Sequence, residues 1–239
     1  MGVRLKGYMK TISSSIIIIL TLLASSWAKN ESFTIAKDTI LSTNFEVPES
    51  VTCVIKPGTT IKFSGYFKFI VRGLLIASGT ANEPITFTCV DRARGATGQP
   101  CWYGMVVVGK KANAYCRNCR FEGMYRGLVW ESAPVFDSCE FAGNHCGLYC
   151  TKKAAPRVKD CKFYRNVYGI VADFATPFLV DNVITDNTIG VYLQTGSQPL
   201  AGRNTIFGNR TDVRTETALN GDTTAFSMQS LWELMNELY

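Results

Sequence analysis

Two groups of residues in this chain have types and spacings that chemistry could use. The first surrounds the only histidine: Cys116 and Cys119 in "CRNC", then Cys139, His145, Cys146 and Cys150 within "DSCEFAGNHCGLYC", residues 137–150. Thiolate and imidazole at such spacings are zinc ligands, provided that their side chains converge on one centre. The second is a pair of carboxylates, Glu131 and Asp173, with Tyr149, Thr151, Tyr192 and Gln194 at related positions. Two carboxyl groups about 6.5–9.5 Å apart are the acid and base of an inverting glycosidase. Which chemistry is available depends on the elements that carry these residues.

Those elements repeat. "NCRFEGMYRGL", "SCEFAGNHCGL", "DCKFYRNVYGI", "DNVITDNTIGV" and "RNTIFGNRTDV" place Cys119, Cys139, Cys161, Asn182 and Asn204 at successive spacings of 20, 22, 21 and 22 residues. The same register holds an apolar column (Phe121, Phe141, Phe163, Ile184, Ile206) and a column in which Met124 is followed by Asn144, Asn166, Asn187 and Asn209. Gly127, Gly147, Gly169 and Gly190 each precede an aliphatic residue, and Ala114, Pro134, Pro156, Pro177 and Pro199 stand five residues before the Cys/Asn column. Short apolar runs, turn residues at fixed offsets and no helical period describe a solenoid of stacked coils, each with two or three short strands. Like residues then lie above one another at about 4.8 Å, and stacked asparagines can hydrogen-bond along the column.

The ends read differently. Arg4, Lys6 and Lys10 precede an apolar run from Ile16 to Ala24 and the small-residue site Ser26-Trp27-Ala28. This is the pattern of a secretory signal cleaved after Ala28, with an uncleaved anchor as the alternative; the run is short of the ~20 residues that span a bilayer. The predicted organisation is a signal peptide over 1–28, an N-terminal cap over 29–50, a parallel β-helix over 51–214, and a linker with an amphipathic capping helix over 215–239. The helix is predicted from Ser230 and Glu233, which fit a capping box, and from Leu231, Leu234, Met235 and Leu238 at helical spacing. Net charge is +6, three of those charges fall in the predicted signal, and no Lys/Arg run is long enough for a nucleic-acid partner.

The recurring x-[CN]-x-[FI]-x-x-N-x-x-G-[ILV] unit resembles the right-handed parallel β-helix repeats of pectate-lyase-like proteins, of carbohydrate-binding and sugar-hydrolase modules, and of a periplasmic copper-binding accessory family. The stretch Val47–Thr88 and "CWYGMVVV" from Cys101 resemble the opening coils of secreted β-helix proteins. The resemblance covers roughly residues 33–214. It implies an all-β, single-stranded right-handed parallel β-helix, and the predicted cleaved signal implies export to the periplasm, the cell surface or the medium. It is nearly silent on activity, because one scaffold carries many functions.

The columns separate the two chemistries. Cys139 belongs with Cys119 and Cys161 in an inward ladder; Cys150 shares a column with Trp130, Ala172 and Leu193, and Cys116 shares one with Phe136, Val158 and Leu179. The thiols therefore face different ways, buried as small apolar groups, while His145 falls in an exposed column with Tyr125, Val167, Thr188 and Arg210. No metal and no cofactor is expected. Nine cysteines leave at least one thiol unpaired within the chain; Cys119 with Cys139 is the disulfide to test first, reduced thiols are the alternative, and Cys53, Cys89 and Cys101 stay unassigned. Alternation after the glycine puts Leu128 and Trp130 inward, and exposes Val129, Glu131, Tyr149, Thr151, Val171, Asp173, Tyr192 and Gln194. Glu131 and Asp173, two coils apart, are the candidate catalytic pair; Tyr149, Thr151, Tyr192 and Gln194 are the candidate binding residues, with tyrosine rings to stack on sugars. The reading is a non-catalytic scaffold that binds a polysaccharide or another cell-surface component, such as a glycan, through an outer face, with a polysaccharide lyase or glycoside hydrolase, or a structural protein without glycan, as the alternatives.

Overall fold

The computed structural model describes residues 10–12, 31–91 and 99–216, and β-strand is the only regular element among them. Every coil gives one strand to each of three parallel sheets. In the fifth coil these are Val135–Asp137, Glu140–Ala142 and Cys146–Thr151; in the sixth, Arg157–Lys159, Lys162–Tyr164 and Tyr168–Asp173. The coils begin at Ser32–Ile35 and end with Thr211–Thr215. Parallel neighbours ordinarily need a crossover connection of a dozen or more residues; here the other two strands of the coil are that connection.

The predicted ends fare differently. Residues 32–47, expected as a cap, form the first coil and pair with the second in all three sheets. Of the predicted signal segment, Lys10–Ile12 pairs with Phe33–Ile35, and the rest lies outside the described residues, as does the expected capping helix.

Two kinds of corner explain the repeat. Between the first and second sheets a single residue turns the chain in the left-handed region: Asn118, Ser138, Asp160, Asp181 and Arg203 have φ of 47–57°. Between the second and third sheets Gly123, Gly143, Arg165, Asp186 and Gly208 do the same at 55–69°. The residue after each turn points into the molecule, and these are the Cys/Asn and Met/Asn columns.

Their side chains complete the corners. The N–H of Asn144 donates to Asn166 Oδ1 at 2.9 Å, Asn166 N–H to Asn187 at 3.0 Å and Asn187 N–H to Asn209 at 2.9 Å. Each Nδ2 donates to a carbonyl of the preceding coil, from Phe121 for Asn144 to Ile184 for Asn209. Backbone groups that the bend removes from the sheets are thereby paired in the interior, where an unpaired one would be costly.

The other column does the same with sulfur as well as amide. Cys161 N–H donates to Asn182 Oδ1, and Asn182 Nδ2 to the Val158 carbonyl. In the sulfur part, Cys139 N–H donates to Cys161 Sγ at 3.4 Å, and the Sγ of Cys119, Cys139 and Cys161 donate to the carbonyls of Ala77, Cys116 and Phe136. Burial pushes these three thiols well above the ordinary range, which keeps the proton that each bond needs. Cys119 and Cys139 are thus reduced; the disulfide joins Cys89 to Cys101, two of the cysteines that the spacing left unassigned.

The core between the sheets is a set of stacks. Phe87, Phe121, Phe141 and Phe163 lie face over face with ring centroids 5.0, 4.8 and 4.6 Å apart. Each buried phenylalanine contributes roughly 1.5–3 kcal/mol by leaving water, and each stack about 0.5–1.5 kcal/mol more. Cys116, Phe136, Val158 and Leu179 form the expected buried column.

In the third sheet the pairing departs from the columns read in sequence. Arg126 pairs with Cys146, yet Gly127 pairs with Leu148, so the register shifts by one residue. Gly147 is the added residue, and a Cβ there would stand 2.6 Å from the Gly169 carbonyl oxygen. Before the shift the alternation is reversed from the expected one: Val129 is buried, and Trp130 is 39% exposed. Cys150 keeps Ala172 and Leu193 as neighbours but stands over Val129, not Trp130.

Candidate functional site

The outer side of the third sheet carries an unbroken run of aromatic rings. Tyr66, Tyr103, Tyr125, His145, Tyr168 and Tyr192 come from six successive coils. Neighbouring ring centroids lie 5.8, 5.9, 5.0, 5.7 and 6.1 Å apart in that order, with Tyr125–His145 and Tyr168–Tyr192 near parallel and the other three steps edge to face. Tyr66 is 54% exposed and the other five are half-buried. Five steps of strand spacing make the run about 24 Å long.

The run is diagonal. Tyr103, Tyr125 and His145 occupy the corner that leads into the third sheet, where each backbone N–H bonds a carbonyl of the coil before. Tyr168 sits one position farther on, at the first residue of its strand, and Tyr192 lies in the strand opposite Val171. Burial, then the nearby Arg126 cation, lowers the His145 pKa from its ordinary value, so the ring in the run is the neutral imidazole at neutral pH.

Charged groups flank the rings. The Arg126 guanidinium carbon lies 4.7, 5.2 and 6.0 Å from the centroids of Tyr125, Tyr149 and Tyr103, and Lys68 Nζ lies 4.6 Å from Tyr103. Toward the later coils the groups are acidic. Asp173 Oδ2 accepts hydrogen bonds from Tyr149 Oη at 3.1 Å and Thr151 Oγ1 at 3.0 Å. Burial and the Asp173 carboxylate push the Tyr149 phenol up to about 12. Tyr192 Oη donates to Glu216, Gln194 Nε2 lies 3.5 Å from the same oxygen, and the Arg214 guanidinium stands over the Tyr192 ring at 5.1 Å.

Of the residues singled out in the sequence, Tyr149, Thr151, Asp173, Tyr192 and Gln194 do meet on this face. Thr151 and Val171 are on its outer side but buried, at 6% and 4% exposure, so Thr151 positions the Asp173 carboxylate and presents little surface of its own. Glu131 does not join them. It sits in the turn after Trp130 with φ 51°, while Asp173 pairs with Thr151 and Thr151 with Trp130. The two carboxylates stand in different columns, which removes the stacked geometry that suggested a catalytic pair.

Tyr66, Tyr103, Tyr125, Tyr168 and Arg126 were not singled out as site residues. Their signal was an aromatic or histidine near one corner in each of six periods, hidden because it drifts across positions as it climbs. The cysteines and His145 of the opening cluster are divided between core and surface: Cys139 and Cys150 are fully buried, while His145 stacks outside.

Residues 103–224 match the family model of the right handed beta helix region. No curated protein and no solved structure matches the chain. That match spans half of the sequence, and the three parallel sheets extend the same coil to Ser32: the chain belongs to the right-handed β-helix family.

Proposed function

We propose that this is an exported protein that binds a polysaccharide, or another cell-surface glycan, along the outer face of its third sheet, without cleaving it. The observation that carries the reading is the run of six rings from Tyr66 to Tyr192. Sugar rings present apolar faces and a rim of hydroxyls. A continuous stripe of half-buried aromatic rings with polar groups beside it offers the apolar faces a surface to lie against and each hydroxyl an acceptor or donor. A shallow stripe suits an extended polymer, whereas a small molecule needs an enclosing pocket. Tyr149, Tyr192 and Gln194 take part directly, and Thr151 acts through Asp173.

The test is retention of the purified protein on a panel of immobilised polysaccharides, with reducing ends and unsaturated ends monitored together. Retention without new ends, reduced about tenfold by Tyr125→Ala at unchanged thermal stability, is the expected result; a ring contact is worth about 0.5–1.5 kcal/mol, and tenfold corresponds to about 1.4 kcal/mol. Product formation that disappears in Asp173→Asn would replace this reading with a lyase or hydrolase. Retention on none of the polymers would leave a structural protein without glycan. For export, the N terminus of the secreted chain is expected at Lys29; recovery of an intact residue 1–28 segment on the cell membrane would show an anchor.

A further inference from the structure

Arg126 is a cation without a carboxylate partner among the described residues. Its Nε is buried and has no hydrogen-bond partner, although the residue as a whole stays partly exposed among the Tyr103, Tyr125 and Tyr149 rings. A guanidinium within 6.0 Å of three ring centroids and without a carboxylate partner can offer its terminal N–H donors to an oxoanion, which accepts two parallel bonds. Lys68 adds a second positive charge on the same side, one ring away.

The rest of the face has the opposite character. Asp173 lies two coils beyond Arg126 and Glu216 four, roughly 10 and 19 Å by strand spacing. Both remain in reach of solvent. Arg214, the cation at that end, has Glu216 close enough that the two charges interact. Carboxylates beside aromatic rings accept bonds from sugar hydroxyls and repel an acidic sugar.

We propose that Arg126 binds an anionic substituent of the glycan and that the face selects polymers in which acidic sugars are separated by neutral ones. This rests on the glycan-binding reading above and specifies its ligand class. The acidic sugar lies against the outer edges of the Tyr103 and Tyr125 rings with its carboxylate or sulfate on Arg126; at one sugar per coil, neutral sugars then fall at His145 and Tyr192, the latter with its hydroxyls toward Asp173 and Glu216. Neither a wholly neutral nor a wholly acidic chain satisfies both ends.

The experiment measures affinity of the full chain for three hexasaccharides: hyaluronan, in which glucuronate alternates with a neutral amino sugar; oligogalacturonate, acidic throughout; and a neutral chitin oligosaccharide. Hyaluronan is expected to bind about tenfold or more tightly than either of the others, and Arg126→Gln to abolish that preference. Arg126→Lys, which keeps the charge and loses the fork, is expected to fall between them, and Asp173→Asn to raise the affinity for oligogalacturonate. Comparison of chondroitin sulfate with its desulfated form assigns the anion: tighter binding of the sulfated chain names sulfate, and equal binding names carboxylate. An Arg126→Gln protein with unaltered circular dichroism and an unaltered preference overturns the inference. So does chitin binding as tightly as hyaluronan in a manner sensitive to Tyr125→Ala, an outcome in which glycan binding itself stands. Failure to bind any sugar overturns both.

Discussion

Asn166 accepts the Asn144 N–H at 2.9 Å and donates through Nδ2 to the Phe141 carbonyl at 3.0 Å. Alanine there strands a donor and an acceptor in the core, and the expected loss is about 3 kcal/mol or more, read as a fall in the denaturant midpoint. The cysteines of the parallel column offer a sharper comparison. A protonated thiol accepts one bond and donates another, as the amide does, so Asn182→Cys is expected to cost about 1 kcal/mol and Asn182→Ala at least twice that. Equal losses would mean that the sulfur contacts at Cys139 and Cys161 stabilise nothing. The sequence displayed these residues as a register of Cys and Asn without displaying their bonds, because the partner is a backbone carbonyl three residues upstream in the preceding coil. His145 belongs at this scale as well. Its folded pKa lies below the unfolded value of about 6.5, so the unfolded chain binds the proton more readily. Its contribution is therefore present above that pH and is lost as pH falls through the folded value. Melting temperature is expected to drop less between pH 7.5 and 5 in His145→Gln than in the native protein; an identical drop in both would place the imidazole outside the rings.

At the scale of the element, the corners account for which residue types recur. Arg165 holds φ 56° where Gly143 and Gly208 stand in other coils. A β-branched residue is the poorest occupant of that region, so Arg165→Val is expected to cost about 1–2 kcal/mol by thermal denaturation, with Arg165→Gly close to neutral. Strand order and the stacking of Phe141 on Phe163 follow directly from the period, because one residue per coil at constant offset has only one place to lie. The inward and outward sense of Leu128 to Glu131 did not follow. A side chain changes face at every step along a strand, so the one residue that Gly147 adds to the third sheet reverses the whole strand before it. Nothing in the local composition marks that insertion: glycine recurs at Gly127 as at Gly147, although the first lies over Leu148 and the second over Gly169. The displaced register hid Trp130 and Val129, and with them the fact that Glu131 and Asp173 never share a column.

For the molecule as a whole, the solenoid makes stability a sum over neighbouring coils rather than a property of one centre. Interior positions of the last coil, Ala201, Ile206 and Val213, are only partly buried, whereas Phe121, Phe141 and Phe163 are almost completely so. Amide hydrogen exchange is therefore expected to be slowest in the coils that contain Asn144 and Asn166 and fastest in residues 200–215. Chemical labelling has an independent expectation: seven thiols alkylate after unfolding without reductant, none reacts promptly in the native state, and Cys89 and Cys101 appear only after reduction. The aromatic run crosses six of the coils, so a bound polymer holds together units that otherwise exchange separately. At a free concentration of about 100 times Kd a glycan would stabilise the native state by about 2.7 kcal/mol, and a ligand lying along Tyr66 to Tyr192 distributes that gain over the second to seventh coils. Slower exchange throughout those coils, with residues 200–215 little changed, is the expected signature. Protection confined to one coil would mean that the rings do not act as a continuous surface, because a polymer seated across all of them cannot leave any one coil free to open alone.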